Sequence, residues 1–176
     1  MHYFLQGPRN IGKSTVIQKT VEQLSLRRPT VFGGFFTWND GKEEPCVNLR
    51  AAKSDSESEI YRIAGWDAEK GKLSCDIQVF EQTGVHILEQ SKGTDLIIMD
   101  ELGYLESNAT VFRKTIIDLI SGYTPILGVL RLGNVPWHTD IKRNSKVTLI
   151  DVNKDNRNTL PQQLTERLLA QITQSK

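Results

Sequence analysis

The chain has little cysteine, no long apolar run and almost no excess of charge, and each shortage argues against a class of protein. Only two cysteines, Cys46 and Cys75, occur in 176 residues. They form no CxxC or metal-spaced pattern, so neither a disulfide framework nor a structural zinc site is expected, and free thiols in a reducing compartment are. No apolar stretch approaches the roughly 20 residues of a membrane-spanning helix. The N-terminus already reads as a strand and leaves no room for a cleaved signal, so cytoplasmic residence is the expectation. A formal net charge of +1, with no dense Lys/Arg stripe, supplies no general field for a polynucleotide or an anionic membrane. What is present, 38% hydrophobic and 24% charged residues, suits one soluble domain over residues 1–176 with one core, since no repeat or linker divides the chain. The sequence says little about oligomeric state, a monomer being the favoured one.

The densest signal lies in the first fifteen residues. An apolar run, His2 to Leu5, leads into Gly7-Pro8-Arg9-Asn10-Ile11-Gly12-Lys13-Ser14-Thr15, which is a complete phosphate-binding loop. The spacing Gly-x-x-x-x-Gly-Lys-Ser lets a tight turn aim backbone N–H groups at phosphate oxygens, and the helix that follows adds its positive dipole end. Lys13 is placed to reach the β and γ phosphates. The Ser14 hydroxyl is placed to ligate the Mg²⁺ that accompanies them. A nucleoside triphosphate is the expected ligand.

Such a loop needs a second acidic element, and Asp95-Leu96-Ile97-Ile98-Met99-Asp100-Glu101 supplies one as an apolar strand ending in two carboxylates. Buried acids at a strand end are costly unless a cation or solvent meets them, and open parallel sheets put ligands at that end. Asp100 is the expected partner of the Mg²⁺ shell. Glu101 beside it is where a general base could take a proton from the water attacking the γ-phosphate.

Period and breakers organise the rest. Strands are expected at 2–6, 30–37, 95–101, 125–132 and 147–152, and helices from Lys13 to about Leu26, from Phe80 to Gln90, from about Phe112 to Gly122 and from Leu160 to Ile172. Asp76 to Val79 reads as a short extended piece. Residues 41–74 carry short alternating runs and read as a β-hairpin-rich insertion, with the acid and serine run Ser54 to Glu59 as a solvated loop. Trp38, Trp66 and Trp137 lie in or beside expected loops and read as covering core edges, with stacking on a base as the alternative, and His86 and His138 read as surface or packing residues. Strands alternating with helices give an α/β fold with a mostly parallel central sheet flanked by helices. More than eighty residues and at least one strand separate the phosphate loop from the acidic strand, and no arginine-rich lid is evident. With the adjacent Asp100-Glu101 pair, that favours hydrolysis over transfer to an acceptor.

Together these residues resemble the THEP1-type nucleoside-triphosphatase family. The matching pieces are the phosphate loop Gly7 to Thr15, Gly34-Phe35-Phe36-Thr37 after the first helix, Asp100-Glu101-Leu102-Gly103-Tyr104-Leu105-Glu106, and Asn156-Arg157 before the last helix. The resemblance implies a P-loop NTPase fold of the RecA/ASCE-like kind and Mg²⁺-dependent hydrolysis of NTP to NDP, slow and with loose base preference. Asn156 and Arg157 would read or stack on the base, or cap the helix. Three departures stand out. Tyr104 occupies a position usually held by lysine, no arginine follows Thr37, and the stretch Leu73 to Val79 lacks a Gly-Arg-Tyr-Gly-like segment. Two cations near the γ-phosphate are thereby missing, which Arg9 or Arg131 could replace. A nucleotide-dependent switch with little turnover, or a small-molecule or nucleotide kinase, are the alternatives.

Overall fold

A computed structural model describes residues 1–53 and 59–174 of the chain. The run expected to be a solvated loop at 54–59 falls outside these residues, Glu59 excepted. The elements alternate as the hydrophobic pattern requires. Strand β1 (His2–Gln6) feeds α1 (Lys13–Arg27), then come β2 (Phe32–Asn39), β3 (Cys46–Ala51), β4 (Ile60–Asp67) and β5 (Lys72–Cys75). A helical stretch follows, made of α2 (Ile77–Val79), a π-helical turn (Phe80–Gly84) and α3 (Val85–Glu89). Next are β6 (Leu96–Leu102), a 3₁₀ turn (Leu105–Asn108), α4 (Thr110–Ser121), β7 (Ile126–Leu130), α5 (His138–Arg143), β8 (Val147–Asp151) and α6 (Leu160–Gln174).

All eight strands form one sheet in the order β5-β4-β3-β2-β6-β7-β1-β8. The five strands from β2 to β8 run parallel, and β3, β4 and β5 continue the same sheet antiparallel. The hairpin-rich segment is therefore an extension of the main sheet. β7 separates the phosphate-loop strand β1 from the acidic strand β6, and all three end on the edge where the loop begins.

Because successive side chains of a strand point to opposite faces, β1 and β6 build two cores at once. Phe4, Ile97 and Met99 pack under α3, α4 and α5 with Phe80, Phe112 and Trp137. Leu5, Ile98 and Val129 pack under α1 and α6 with Ile17, Leu24 and Leu164. The Phe112 ring sits 5.6 Å from that of Phe35 and 5.2 Å from that of Phe80. No helix among the described residues is long and apolar enough to cross a membrane.

Two local expectations shift. The helix expected from Phe80 starts at Ile77, because the Asp76 carboxylate accepts the Gln78 and Val79 N–H groups at 3.0 and 3.4 Å and caps it. The π-helical turn then breaks the 3.6-residue period on which the expectation rested. Trp38 and Trp66 belong to β2 and β4, whereas Trp137 does cover a core edge, its indole N–H bonded to the Gly103 carbonyl at 2.9 Å. His138 opens the short helix α5 and is buried, with neither ring nitrogen partnered among the described residues. His86 lies on the surface beside Gln90. Both cysteines are free thiols.

Candidate functional site

The turn between β1 and α1 has the backbone that its glycines permit. Gly7 has φ +151°, and a Cβ there would meet the Val152 carbonyl oxygen at 2.7 Å. Gly12, at φ +109°, is the left-handed N-cap of α1, which carries no side-chain cap. The first helical bond runs from Val16 N–H to the Gly12 carbonyl at 2.9 Å, so the amides of Lys13, Ser14 and Thr15 precede the ladder and are donors for an anion. Asn10 adopts φ +62°, a conformation asparagine tolerates. Pro8, Arg9 and Asn10 are exposed, and Ile11 packs against the core beneath α1 and α6. Lys13 is buried, its ammonium donating to the Gly7 and Pro8 carbonyls at 3.0 Å each. The lysine is thus folded back over its own loop.

β6 delivers its two acids to the same place. The Ser14 hydroxyl donates to Asp100 Oδ1 at 3.2 Å, which joins the loop to the acidic strand across 86 residues of sequence. Asp100 is 2% exposed. Burial pushes its carboxyl up to about 7, the Glu101 charge adds to that, and the Ser14 hydrogen bond and Lys13 oppose it. Pairing of β6 with β7 is interrupted between Met99 and Leu102, and the Asp100–Glu101 peptide is cis. Glu101 donates its backbone N–H to Thr37 Oγ1 at 3.0 Å, and its carboxylate lies 3.6 Å from the Arg131 guanidinium. Arg131, at the C-terminal end of β7, also sits 4.7 Å over the Tyr104 ring. Tyr104 fills a position where the family resemblance has a lysine, and Arg131 brings a cation to it from another strand.

The loop after β6 is held from inside. Glu106 is buried and accepts the Gly103 N–H at 2.9 Å, and burial pushes its carboxyl up to about 7. At the other end of the phosphate loop, Asn156 uses its amide on the backbone, accepting the Asn153 N–H and donating to the Asp151 carbonyl. Arg157 reaches the Ile11 carbonyl at 3.3 Å. Of the two, only Arg157 touches the phosphate loop.

The phosphate loop, the two acids at the end of β6 and the turn after it line an open cleft of about 1200 Å³ that runs from the loop to the antiparallel extension. Gly7, Arg9, Asn10, Gly12 to Thr15, Asp100, Glu101 and Arg131 lie at one end of it. Arg50, Trp38 and Trp66 line it as well, and the sequence marked none of the three for the site. Arg50 reaches the cleft only because β3 pairs with β2 and sets it opposite Phe36, a pairing with no local signature. Thr37 and Glu106 were visible only as parts of the resembling motifs.

The oxygen donor set suits a hard divalent cation. Ser14 and Asp100 are already adjacent, and a desolvated carboxylate pushed up to about 7 is one a cation would favour in its charged form. No group of three His, Cys, Asp or Glu side chains among the described residues could hold a metal alone. Mg²⁺ ordinarily takes one or two protein ligands, with phosphate and water completing its shell.

Comparison with known proteins agrees with this geometry. A family model described as NTPase matches residues 2–165. Among curated relatives, the nucleoside-triphosphatase THEP1 of Methanosarcina acetivorans is 25% identical over 169 residues, covering 94% of this chain and 95% of that protein. The THEP1 of Thermotoga maritima is 26% identical over 170 residues, covering 91% of each. The mouse cancer-related nucleoside-triphosphatase homolog is 27% identical, covering 90% of this chain and 92% of that one. Among solved structures, THEP1 from Aquifex aeolicus superposes with a TM-score of 0.79 at 21% identity over 96% of this chain and 99% of that chain. The human cancer-related nucleoside triphosphatase gives 0.75 at 23% identity, over 96% and 97% respectively.

Proposed function

The chain belongs to the NTPase family, and from that premise we propose that it is a Mg²⁺-dependent nucleoside-triphosphatase hydrolysing NTP to NDP and phosphate, slowly and with loose base preference. The observation that carries this reading is the contact of Ser14 with Asp100 at 3.2 Å, which sets a metal-ligating pair beside Lys13 and immediately before Glu101. In the nucleotide complex, Lys13 exchanges its two loop carbonyls for β and γ phosphate oxygens, and the first-turn amides of α1 hold the remaining charge. Ser14 and Asp100 would hold Mg²⁺, which would supply positive charge against the triphosphate. Glu101 accepts a proton from the attacking water as the water oxygen bonds to Pγ and the β–γ bridging P–O bond breaks toward NDP. Arg131, 3.6 Å from Glu101 and lining the same cleft, supplies the cation that Tyr104 does not. Arg157, on the outer side of the loop, stacks on or hydrogen-bonds the base.

The whole chain acts as one domain in this reading, and its ligands are nucleoside triphosphates. Two free thiols and a net charge of +1 support cytoplasmic residence without a membrane or polynucleotide partner. The test is phosphate release from ATP, GTP, CTP and UTP with Mg²⁺ and with excess EDTA. Release from all four that stops with EDTA is expected. Tight Mg²⁺-NTP binding with no release would replace the enzyme with a nucleotide-dependent switch.

A further inference from the structure

Gly103, the residue that follows β6, has both polar groups of its backbone taken by side chains. Its N–H donates to the buried Glu106 carboxylate at 2.9 Å, and its carbonyl accepts the Trp137 indole N–H at 2.9 Å. The two bonds come from different elements, Glu106 from the 3₁₀ turn and Trp137 from the residue just before α5. Gly103 also carries the stem of Arg131. A Cβ on Gly103 would lie 3.2 Å from Arg131 Cδ and 3.6 Å from Arg131 Cβ, so the arginine rests where a side chain would otherwise stand. Arg131 and Trp137 are the two ends of one connection, the segment that leaves β7 and enters α5. Both ends return to the same glycine, whereas Leu132, Gly133 and Asn134 between them are exposed. Arg131 needs such a hold. Its side chain is 44% exposed and contacts only the Glu101 carboxylate at 3.6 Å and the Tyr104 ring at 4.7 Å, and exposed ion pairs of this kind fix a long side chain poorly. Trp137 is instead buried in the core cluster that holds Ile141, and the Gly103 carbonyl meets its need for a buried acceptor.

Resting on the triphosphatase reading above, we infer that Trp137 is a positioning residue for hydrolysis, acting through the Gly103 carbonyl to fix the surface on which Arg131 rests and so the direction of its guanidinium. The indole does not itself line the cleft, whereas Gly103, Tyr104, Glu106 and Arg131 do. Its effect on the reaction therefore passes through Gly103. Without the indole N–H the buried Gly103 carbonyl loses its partner, and the peptide that carries both the Arg131 stem and the start of Tyr104 is free to turn. A misplacement of about 1 Å in a catalytic group can cost about 10²-fold in rate. Triphosphate binding rests on Lys13 and the loop amides and is not touched by this change. The signature of a positioning role is thus a fall in kcat with KM kept, and its disappearance once Arg131 is gone.

Two variants of the full chain disturb this arrangement in different ways. Trp137→Phe removes the indole N–H and keeps an aromatic ring in the core. Gly103→Ala leaves both hydrogen bonds and sets a methyl group against Arg131 Cδ. Ile141→Val, which removes a methylene from the same core cluster, is the control for lost stability alone. Each is made in the wild-type and in the Arg131→Ala background, and phosphate release across a Mg²⁺-ATP titration is measured below the Tm of every variant, with Mg²⁺-ATP binding followed by calorimetry. Trp137→Phe and Gly103→Ala should each lower kcat about tenfold or more while KM and binding stay within about twofold. In the Arg131→Ala background neither should slow release further, and Ile141→Val should lower Tm without changing kcat. Wild-type kcat in both variants, with Arg131→Ala slow, would overturn the positioning role and leave the hydrolase standing. The same fall in kcat with and without Arg131 would overturn the route through that arginine. Absence of phosphate release from the unsubstituted chain would overturn the triphosphatase reading itself.

Discussion

Replacing Arg131 by alanine separates a catalytic cation from a structural one. In the free protein the side chain makes two contacts, with the Glu101 carboxylate at 3.6 Å and over the Tyr104 ring at 4.7 Å. The ion pair is partly exposed, 44% on the arginine and 32% on the glutamate, so it contributes between nothing and about 1 kcal/mol. The cation–π contact adds about 0.5–1 kcal/mol. The Arg131 N–H bond to the Leu102 carbonyl at 2.8 Å is a backbone contact and survives the substitution. The variant should therefore lose about 1 kcal/mol of stability, a fall in Tm of about 2–4 °C for a chain of this size. Turnover should suffer far more. A cation aimed at charge that develops on the transferring phosphoryl group contributes about 10²–10³ in kcat, with KM changing little because the ground-state triphosphate is held by Lys13 and the loop amides. Arg131→Lys should recover part of kcat, since it keeps the charge but not the planar fork. Phosphate release across an ATP titration gives kcat and KM, and thermal unfolding gives Tm. A kcat for Arg131→Ala within about threefold of wild type would refute the assignment, and a Tm drop above about 10 °C would show a structural role instead.

Lys13→Ala should abolish Mg²⁺-NTP binding measured by titration calorimetry while leaving Tm nearly unchanged, because the ammonium bonds only to carbonyls of its own loop. Burial, with Lys142 adding to it, lowers His138 from 6.5 to about 4, so below pH 6.5 the unfolded chain binds this proton before the folded one does. Its stability contribution is intact above pH 6.5 and is lost as pH falls toward 4, by up to about 1.4 kcal/mol per pH unit. Asp100 and Glu106, both pushed up to about 7, work in the opposite sense, the folded state gaining protons and stability over the same interval, so the wild-type profile is flattened. The difference between His138→Leu and wild type isolates the histidine. In urea unfolding it should move in the variant's favour by about 2 kcal/mol from pH 7.5 to pH 5, and a difference independent of pH would contradict this.

The parts legible in the sequence are those whose physics is local. The phosphate loop is set by glycines at fixed spacing and by one lysine. β6 is set by an apolar run ending in two acids, and α1, α4 and α6 by faces of 3.6-residue period. What the sequence hid depends on pairing between distant segments. β3, β4 and β5 read correctly as hairpin strands, but nothing local shows that they join β2 and continue the main sheet. Arg50 consequently carried no sign in the sequence that it lines the cleft. Arg131 is one of two candidate replacement cations in the sequence, and the structure sets it 3.6 Å from Glu101. The helix beginning at Ile77 was displaced because its signal was a capping aspartate and a π-helical turn, not a periodic face. Asn156 shows the converse, a residue of a resembling motif whose amide is used on its own turn.

Glu101→Gln measured for nucleotide binding and for phosphate release in a single turnover bears most directly on the claim that this cleft hydrolyses triphosphates with Glu101 as base. The substitution keeps the side chain's size and the backbone bond to Thr37. Binding of Mg²⁺-ATP within about threefold of wild type is predicted, together with release slowed by about 10²–10⁴. Release at the wild-type rate from a folded, nucleotide-binding Glu101→Gln protein would contradict the account.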